Sequence, residues 1–191
     1  MKNLIMLFII LSTKTYAFSY KYVEMDRIDL FEESIIFDSK FNSLHPRGHH
    51  FVTRISEGDI YFEKDNSDSE VSDHKGEINF KSVEVSSIQM IDSILRIKIQ
   101  NSKLIDMTLV YSKIIDLQID KALFLNSSWV NLNIDQARIM DMTFKSGSIQ
   151  GVSFTNCILE NVHFIDVLER DLNFSNCVLI NTTVNGVRRI N

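Results

Sequence analysis

From Ile99 onward a large apolar residue returns every five positions: Ile99, Leu104, Leu109, Ile114, Ile119, Phe124, Trp129, Ile134, Ile139, Phe144, Ile149, Phe154, Leu159, Phe164 and, after Glu169, Phe174, Leu179 and Val184. A period of five fits neither the 3.6 residues of a helix nor the alternation of a flat strand. Two residues ahead of each centre runs a second column of small or apolar side chains, among them Met107, Ala122, Ala137, Val152, Cys157, Val162 and Cys177. Residues two apart point to the same side of an extended chain. Two residues after the centres Asn and Asp predominate: Asn101, Asp106, Asp116, Asn126, Asn131, Asp141, Asn156, Asn161, Asp166, Asp171, Asn176 and Asn181. Both residue types bond to their own backbone and tolerate corners. Each unit is therefore a short extended piece with two inward side chains, followed by a tight turn. A period held this long marks a repeat architecture around one continuous core.

Upstream, Phe80, Val85, Met90 and Leu95 also step by five, preceded by Ile78, Val83, Ile88 and Ser93. Their register is one residue out of step with the rest. The slip lies between Leu95 and Ile99 and predicts a distorted corner there. The repeats thus run from about Ile78 to about Val184.

Two stretches carry a family resemblance: Val152-Ser-Phe154-Thr-Asn156-Cys157-Ile-Leu159-Glu-Asn161 and Leu172-Asn-Phe174-Ser-Asn176-Cys177-Val-Leu179-Ile-Asn181. They resemble the pentapeptide-repeat family. The family's Asn or Asp in the middle slot is mostly missing, Asn133 and Asn173 being exceptions, so the resemblance rests on the period and the inward columns. It implies an all-β fold, a right-handed four-sided β-helix of about five coils with four units to a coil. Residues twenty apart would then stack at about 4.8 Å, the spacing of paired strands. Phe124, Phe144 and Phe164 would form one interior ladder, with Phe154 against Phe174. Cys157 and Cys177 would stack on adjacent coils. They read as free buried thiols filling a small-residue column, with a disulfide as the alternative in an oxidising compartment.

Residues 1–17 read as a secretory signal peptide: Lys2, the apolar run Leu4 to Leu11, and Thr15-Tyr16-Ala17 as the cleavage site before Phe18. The run is too short to span a bilayer, so the mature chain is expected to be exported, periplasmic or secreted, without an integral membrane segment. Residues 18–64 read as a separate, irregular, β-rich region packed on the first coil or one wall of the solenoid. Residues 65–77 are strongly polar and read as a solvated, mobile acidic loop that includes His74. The solenoid itself occupies 78–191.

Charge changes the picture in one respect. Residues 97–191 carry nine Lys and Arg against nine Asp and Glu, whereas residues 18–96 carry nine against sixteen. Neither part is a basic nucleic-acid surface. Some cytoplasmic members of the resembled family imitate duplex DNA and inhibit topoisomerases. Neutral repeats and an export signal set this chain apart from them.

Four features stand out for possible chemistry. Glu169 breaks the apolar column; a local bulge turning Leu168 inward, with Arg170 or Arg189 as partner, would accommodate it. His45, His49 and His50 flank Pro46 and Gly48 and form a weak metal-binding candidate, outweighed by a plain exposed loop. Ile105, Val110, Ile115, Leu123, Leu125 and Val130 occupy outward positions and form an apolar wall, either covered by 18–64 or used for binding or self-association. The last coil, followed by Arg188 and Arg189, reads as open and available for end-to-end pairing, with the arginines discouraging it.

No nucleophile–base pair, paired carboxylates or phosphate-cradling loop is legible, and no cofactor is implied. The expectation is a non-enzymatic exported module that binds a protein or serves a structural role. A secreted effector acting on a host protein is the nearest alternative. A topoisomerase-directed DNA mimic and a metal-dependent enzyme are the remoter ones.

Overall fold

The computed structural model describes residues 18–21, 24–30, 34–37, 40–46, 51–54, 57–62 and 66–190, with side chains at 60–62, 69 and 71–190. The expected signal peptide lies outside these residues. All regular structure described is β. The strands pair in parallel with the coil before and the coil after, and one antiparallel hairpin closes the chain. This is a β-solenoid.

One column of paired positions can be followed along the molecule: Ser19, Ile35, Val52, Glu70, Gln89, Thr108, Ser128, Ser148 and Leu168, each paired with the next. The coil lengthens on the way. Phe18 pairs with Ser34, sixteen residues on, and Ser34 with Phe51, seventeen on. Ile60 pairs with Ile78 after eighteen, Ile78 with Ile97 after nineteen, and Ile119 with Ile139 after twenty. Only a twenty-residue coil divides into four fives. The five-residue period therefore fades toward the N-terminus although the stacking does not.

Two expectations are corrected here. The strands within residues 18–62 do not form a separate region against a wall or the first coil; they are further coils of the same stack. The stretch expected to be a solvated loop holds a strand, Asn66–Ser72, paired with Phe51–Arg54 on one side and Glu84–Ile91 on the other. Ser69, Val71, Ser72 and His74 are buried. Backbone hydrogen bonds to both neighbouring coils hold this rung, so its scarcity of apolar side chains does not prevent it from forming.

Corners are marked by positive φ. Asn101, Asp106, Asn126, Asn131, Asp141, Asn156, Asn161, Asp166, Asp171, Asn176 and Asn181 all lie between 47° and 56°, a region that Asn and Asp enter most readily among residues with a Cβ. Tyr111, Lys121, Gln136 and Gly151 take the same conformation. Asp116 does not. Between Asp92 and Asn101, and again between Tyr111 and Lys121, one corner is missing. The chain runs through it in the long strands Ile94–Ile105 and Lys113–Leu125. Leu95, Ile97 and Ile99 are all buried in one straight alternation. The coil that follows takes up the missing residue as a pairing shift at Leu95/Arg96. The sequence slip is thus a flattened corner.

Inside, the four inward centre columns fill the solenoid. Phe124 stacks on Phe144 at 5.7 Å between ring centres, Phe164 lies tilted against Phe144 at 6.0 Å, and Phe154 stacks on Phe174 at 5.3 Å. Trp129 meets Phe124 and Phe144 edge-on, the favoured geometry for neighbouring rings. Ser93, Ser102, Ser112 and Ser127 are buried in the second inward column. Each hydroxyl donates to the carbonyl two residues earlier and accepts an amide from the preceding coil.

Most of the last coil is open, as expected. Among the described strands Leu168–Arg170, Asn173–Ser175 and Val178–Ile180 pair only with the coil before them, and only the final strand gains a further partner. Thr183–Val184 and Val187–Arg188 form the antiparallel hairpin, turning at Asn185 and Gly186. The Asn185 amide takes the place of a missing rung, accepting from Val167 N and donating to Val167 O, both at 2.9 Å. Arg189 reaches back to Glu169 at 2.6 Å. The bulge expected at Glu169 is absent: Glu169 stays opposite Ile149, and Leu168 is exposed. The arginine brought over by the hairpin removes the need for a bulge.

Candidate functional site

Each face of the solenoid presents two outward columns that flank an inward centre. The first face is centred on Phe62, Phe80, Ile99, Ile119, Ile139, Leu159 and Leu179. Its leading column reads Tyr61, Asn79, Lys98, Gln118, Arg138, Ile158 and Val178. Its trailing column reads Lys81, Gln100, Asp120, Met140, Glu160 and Ile180. Strand pairing holds these side chains at fixed intervals of about 4.8 Å.

A groove of about 450 Å³ runs along this face from Tyr61 to Arg138 and Met140. Phe62, Phe80, Ile99 and Ile119 form its floor and the two outward columns its walls. It spans the coils in which the neighbouring corner is flattened. Three cations, Lys81, Lys98 and Arg138, and one anion, Asp120, line it. Beyond the groove the face turns apolar: Ile158, Val178 and Ile180 are 45%, 54% and 47% exposed.

Beside the groove Glu77 and Lys98 form an ion pair at 2.7 Å. Burial pushes the Glu77 carboxyl up. The Lys98 hydrogen bond and the charges of Lys98 and Arg96 outweigh that and hold it below the usual carboxylate value. The hydrogen bond to Glu77 in turn raises Lys98. The pair fixes Lys98 over the groove.

The sequence-derived wall does not form one surface. Ile105, Leu123 and Leu125 lie on the second face, which is centred on Leu104, Phe124 and Phe144. Val110 and Val130 lie on the third, across the corners at Asp106 and Asn126. Ile115 lies in the flattened region before the first face. All six are half-buried by their neighbours in the stack. No strand of the described N-terminal coils pairs across them. The groove escaped the sequence reading because its columns mix charged, amide and apolar side chains with no five-residue regularity.

Cys157 and Cys177 are buried thiols not joined in a disulfide. The Cys157 thiol donates to Thr155 O at 3.0 Å, and burial pushes its pKa up to about 12. His163 is half-buried, with Nδ1 2.9 Å from Thr183 Oγ1. His74, expected in a mobile loop, is fully buried. His45 falls in the strand Lys40–Pro46, but its side chain is not among those described, and His49 and His50 lie outside the described residues. Among the described residues no cluster of His, Cys, Asp and Glu is arranged to hold a metal ion, and no helix is long and apolar enough to cross a membrane.

Corners at five-residue intervals and coils of twenty residues make this chain a β-helix solenoid of five-residue units. No protein-family model and no curated protein matches it. Among solved structures it is similar to full-length QnrB1, a plasmid-mediated fluoroquinolone resistance protein, at 15% identity and a TM-score of 0.40 over 88% of this chain and 87% of that one. It is also similar to HetL, a pentapeptide-repeat protein involved in heterocyst differentiation regulation from the cyanobacterium Nostoc sp. strain PCC 7120. That match has 12% identity and a TM-score of 0.30, over 90% of this chain and 91% of that one.

Proposed function

We propose that the protein is an exported, non-enzymatic module that binds another protein through the outward columns of its first face. The observation that carries this reading is the continuity of that face. A groove with polar walls passes into exposed Ile158, Val178 and Ile180 on one rigid scaffold. A mixed polar and apolar strip of this kind suits protein contact, and exposed apolar side chains gathered on one face of a folded chain mark interaction surfaces. The solid core of stacked rings beneath the face leaves the surface columns to do the recognising. Export rests on the Lys2 to Ala17 segment. A chain cleaved before Phe18 keeps every described strand, the first being Phe18–Lys21.

The test is affinity capture from envelope and extracellular fractions, with the wild-type protein beside a variant carrying Ile158→Asp and Val178→Asp. A partner retained by the wild type and lost by the variant supports the reading. Identical or empty eluates overturn it. Mass spectrometry of the protein from its producing cell checks export: a chain beginning at Phe18 is expected, and an intact Met1 form in the cytosol would count against it.

A further inference from the structure

We infer that the first face receives an extended polypeptide segment of the partner, laid along the solenoid axis, acidic at one end and apolar at the other. This rests on the protein-binding reading above and names the chemistry of what is bound.

The first argument is charge. The whole chain carries a formal −5, yet the groove lining holds three cations and one anion. Lys98 is satisfied by Glu77. Lys81 and Arg138 are exposed, and neither is paired with a described carboxylate. The unspent positive charge therefore stands at the two ends of the groove, with the amides of Gln100 and Gln118 between. Lys81 and Arg138 are three rungs apart, about 14 Å along the axis at the usual strand spacing. An extended peptide rises about 3.3 Å per residue, so acidic side chains at i and i+4 fall opposite the two cations and on the same side of the peptide.

The second argument is continuity. One rung past Arg138 the column continues as Ile158 and then Val178, with Ile180 in the column beside it. An apolar side chain at about i+6 reaches them. A sulfated or carboxylated polysaccharide has no use for three exposed aliphatic side chains, whereas a polypeptide does. Asp120 and Glu160 stand in the trailing column. They repel an acidic chain running straight down that side and direct it diagonally from Lys81 to Arg138.

The test pans random peptides of about twelve residues, enough to cover the strip at the extended rise, against the purified protein. Fluorescence anisotropy then measures the selected peptides. Acidic residues four apart followed by an apolar one are expected in the selected set. Lys81→Glu and Arg138→Glu should each weaken binding by about tenfold, and Ile158→Asp similarly. Arg170→Glu on the third face should leave it unchanged. The folds of all variants are checked by circular dichroism and Trp129 fluorescence, and Lys81→Gln, a milder change, should give a smaller loss in the same direction. Peptides that bind equally to all variants would overturn the inference and leave the protein-binding reading standing. Failure to select any peptide, with polygalacturonate or heparin bound through Lys81 and Arg138 instead, would overturn both.

Discussion

At the scale of single residues, the exceptions to the repeat explain most. Glu169 occupies a position built for Leu or Phe, and Arg189 answers it at 2.6 Å. The two side chains are 24% and 36% exposed, so solvent shares in stabilising both. Arg189→Ala should lower stability by about 1 kcal/mol, rather than the several expected for a fully buried pair. Glu169→Leu should be neutral or stabilising. Urea unfolding followed by Trp129 fluorescence separates these outcomes, and a large loss on Glu169→Leu would mean that the carboxylate does more than tolerate its site. Cys157 supplies a pH signature. Burial raises its folded pKa to about 12 from the ordinary 9.0. The folded state therefore holds the thiol proton more tightly than the unfolded state does. The corresponding stability is complete below about pH 9 and is lost as pH rises toward 12. Cys157→Ala should flatten the fall in stability between pH 9 and 11. In the native protein at pH 8 both buried thiols should resist Ellman's reagent and react only on denaturation. Rapid native labelling would show that the last coils open.

At the scale of the five-residue element, two inward side chains and a corner do the work. Phe154 is fully buried, with Phe174 stacked upon it and Trp129 alongside. Phe154→Asp places an unpaired carboxylate among rings and should abolish cooperative melting by circular dichroism. Intact melting would contradict the inward assignment of this column. Tyr111 is the converse case. It holds a φ of 51° at a corner and is 62% exposed, so its ring contributes little packing. Tyr111→Asn should stabilise the protein by about 1 kcal/mol through relief of left-handed strain. An unchanged melting temperature would show that the corner carries no strain to relieve. The five-residue columns were legible because inward positions demand apolar side chains whatever their neighbours are. Corners were legible only where Asn or Asp stood. Tyr111, Lys121 and Gln136 turn without a turn residue because pairing on both sides imposes the conformation on them. Asp116 carries a turn residue and runs straight.

At the scale of the molecule, coils of sixteen to twenty residues stack into one body. Among the described strands, Phe18–Lys21 begins the stack and the strands Leu168–Arg170, Asn173–Ser175 and Val178–Ile180 end it with open edges, the Asn185 hairpin covering only Thr183–Val184. Removing residues 1–77 would leave the strands at Ile78–Lys81 and Glu84–Ile91 without their upstream partners. That chain should associate or precipitate through the newly exposed strand edges more readily than a chain from Phe18. Light scattering on the two forms decides it. Equal behaviour would mean that the upstream coils contribute nothing to closing the edge.

The chain by itself determined the five-residue repeat from Ile99 onward and the slip near Leu95, because every unit must send its centre into a crowded interior. Four units to a coil was what the family resemblance implied, and the pairing twenty residues apart bears it out. It did not reveal the N-terminal coils. Their lengths of sixteen to nineteen residues erase the period, and their backbone pairing leaves no mark on side-chain composition. Nor did it reveal Arg189 over Glu169, which depends on where a hairpin folds back. The candidate site was the least legible of all. Lys81 and Arg138 lie fifty-seven residues apart in sequence and three rungs apart in space. Only the stacking of one coil on the next, each with its own length, brings them onto one face.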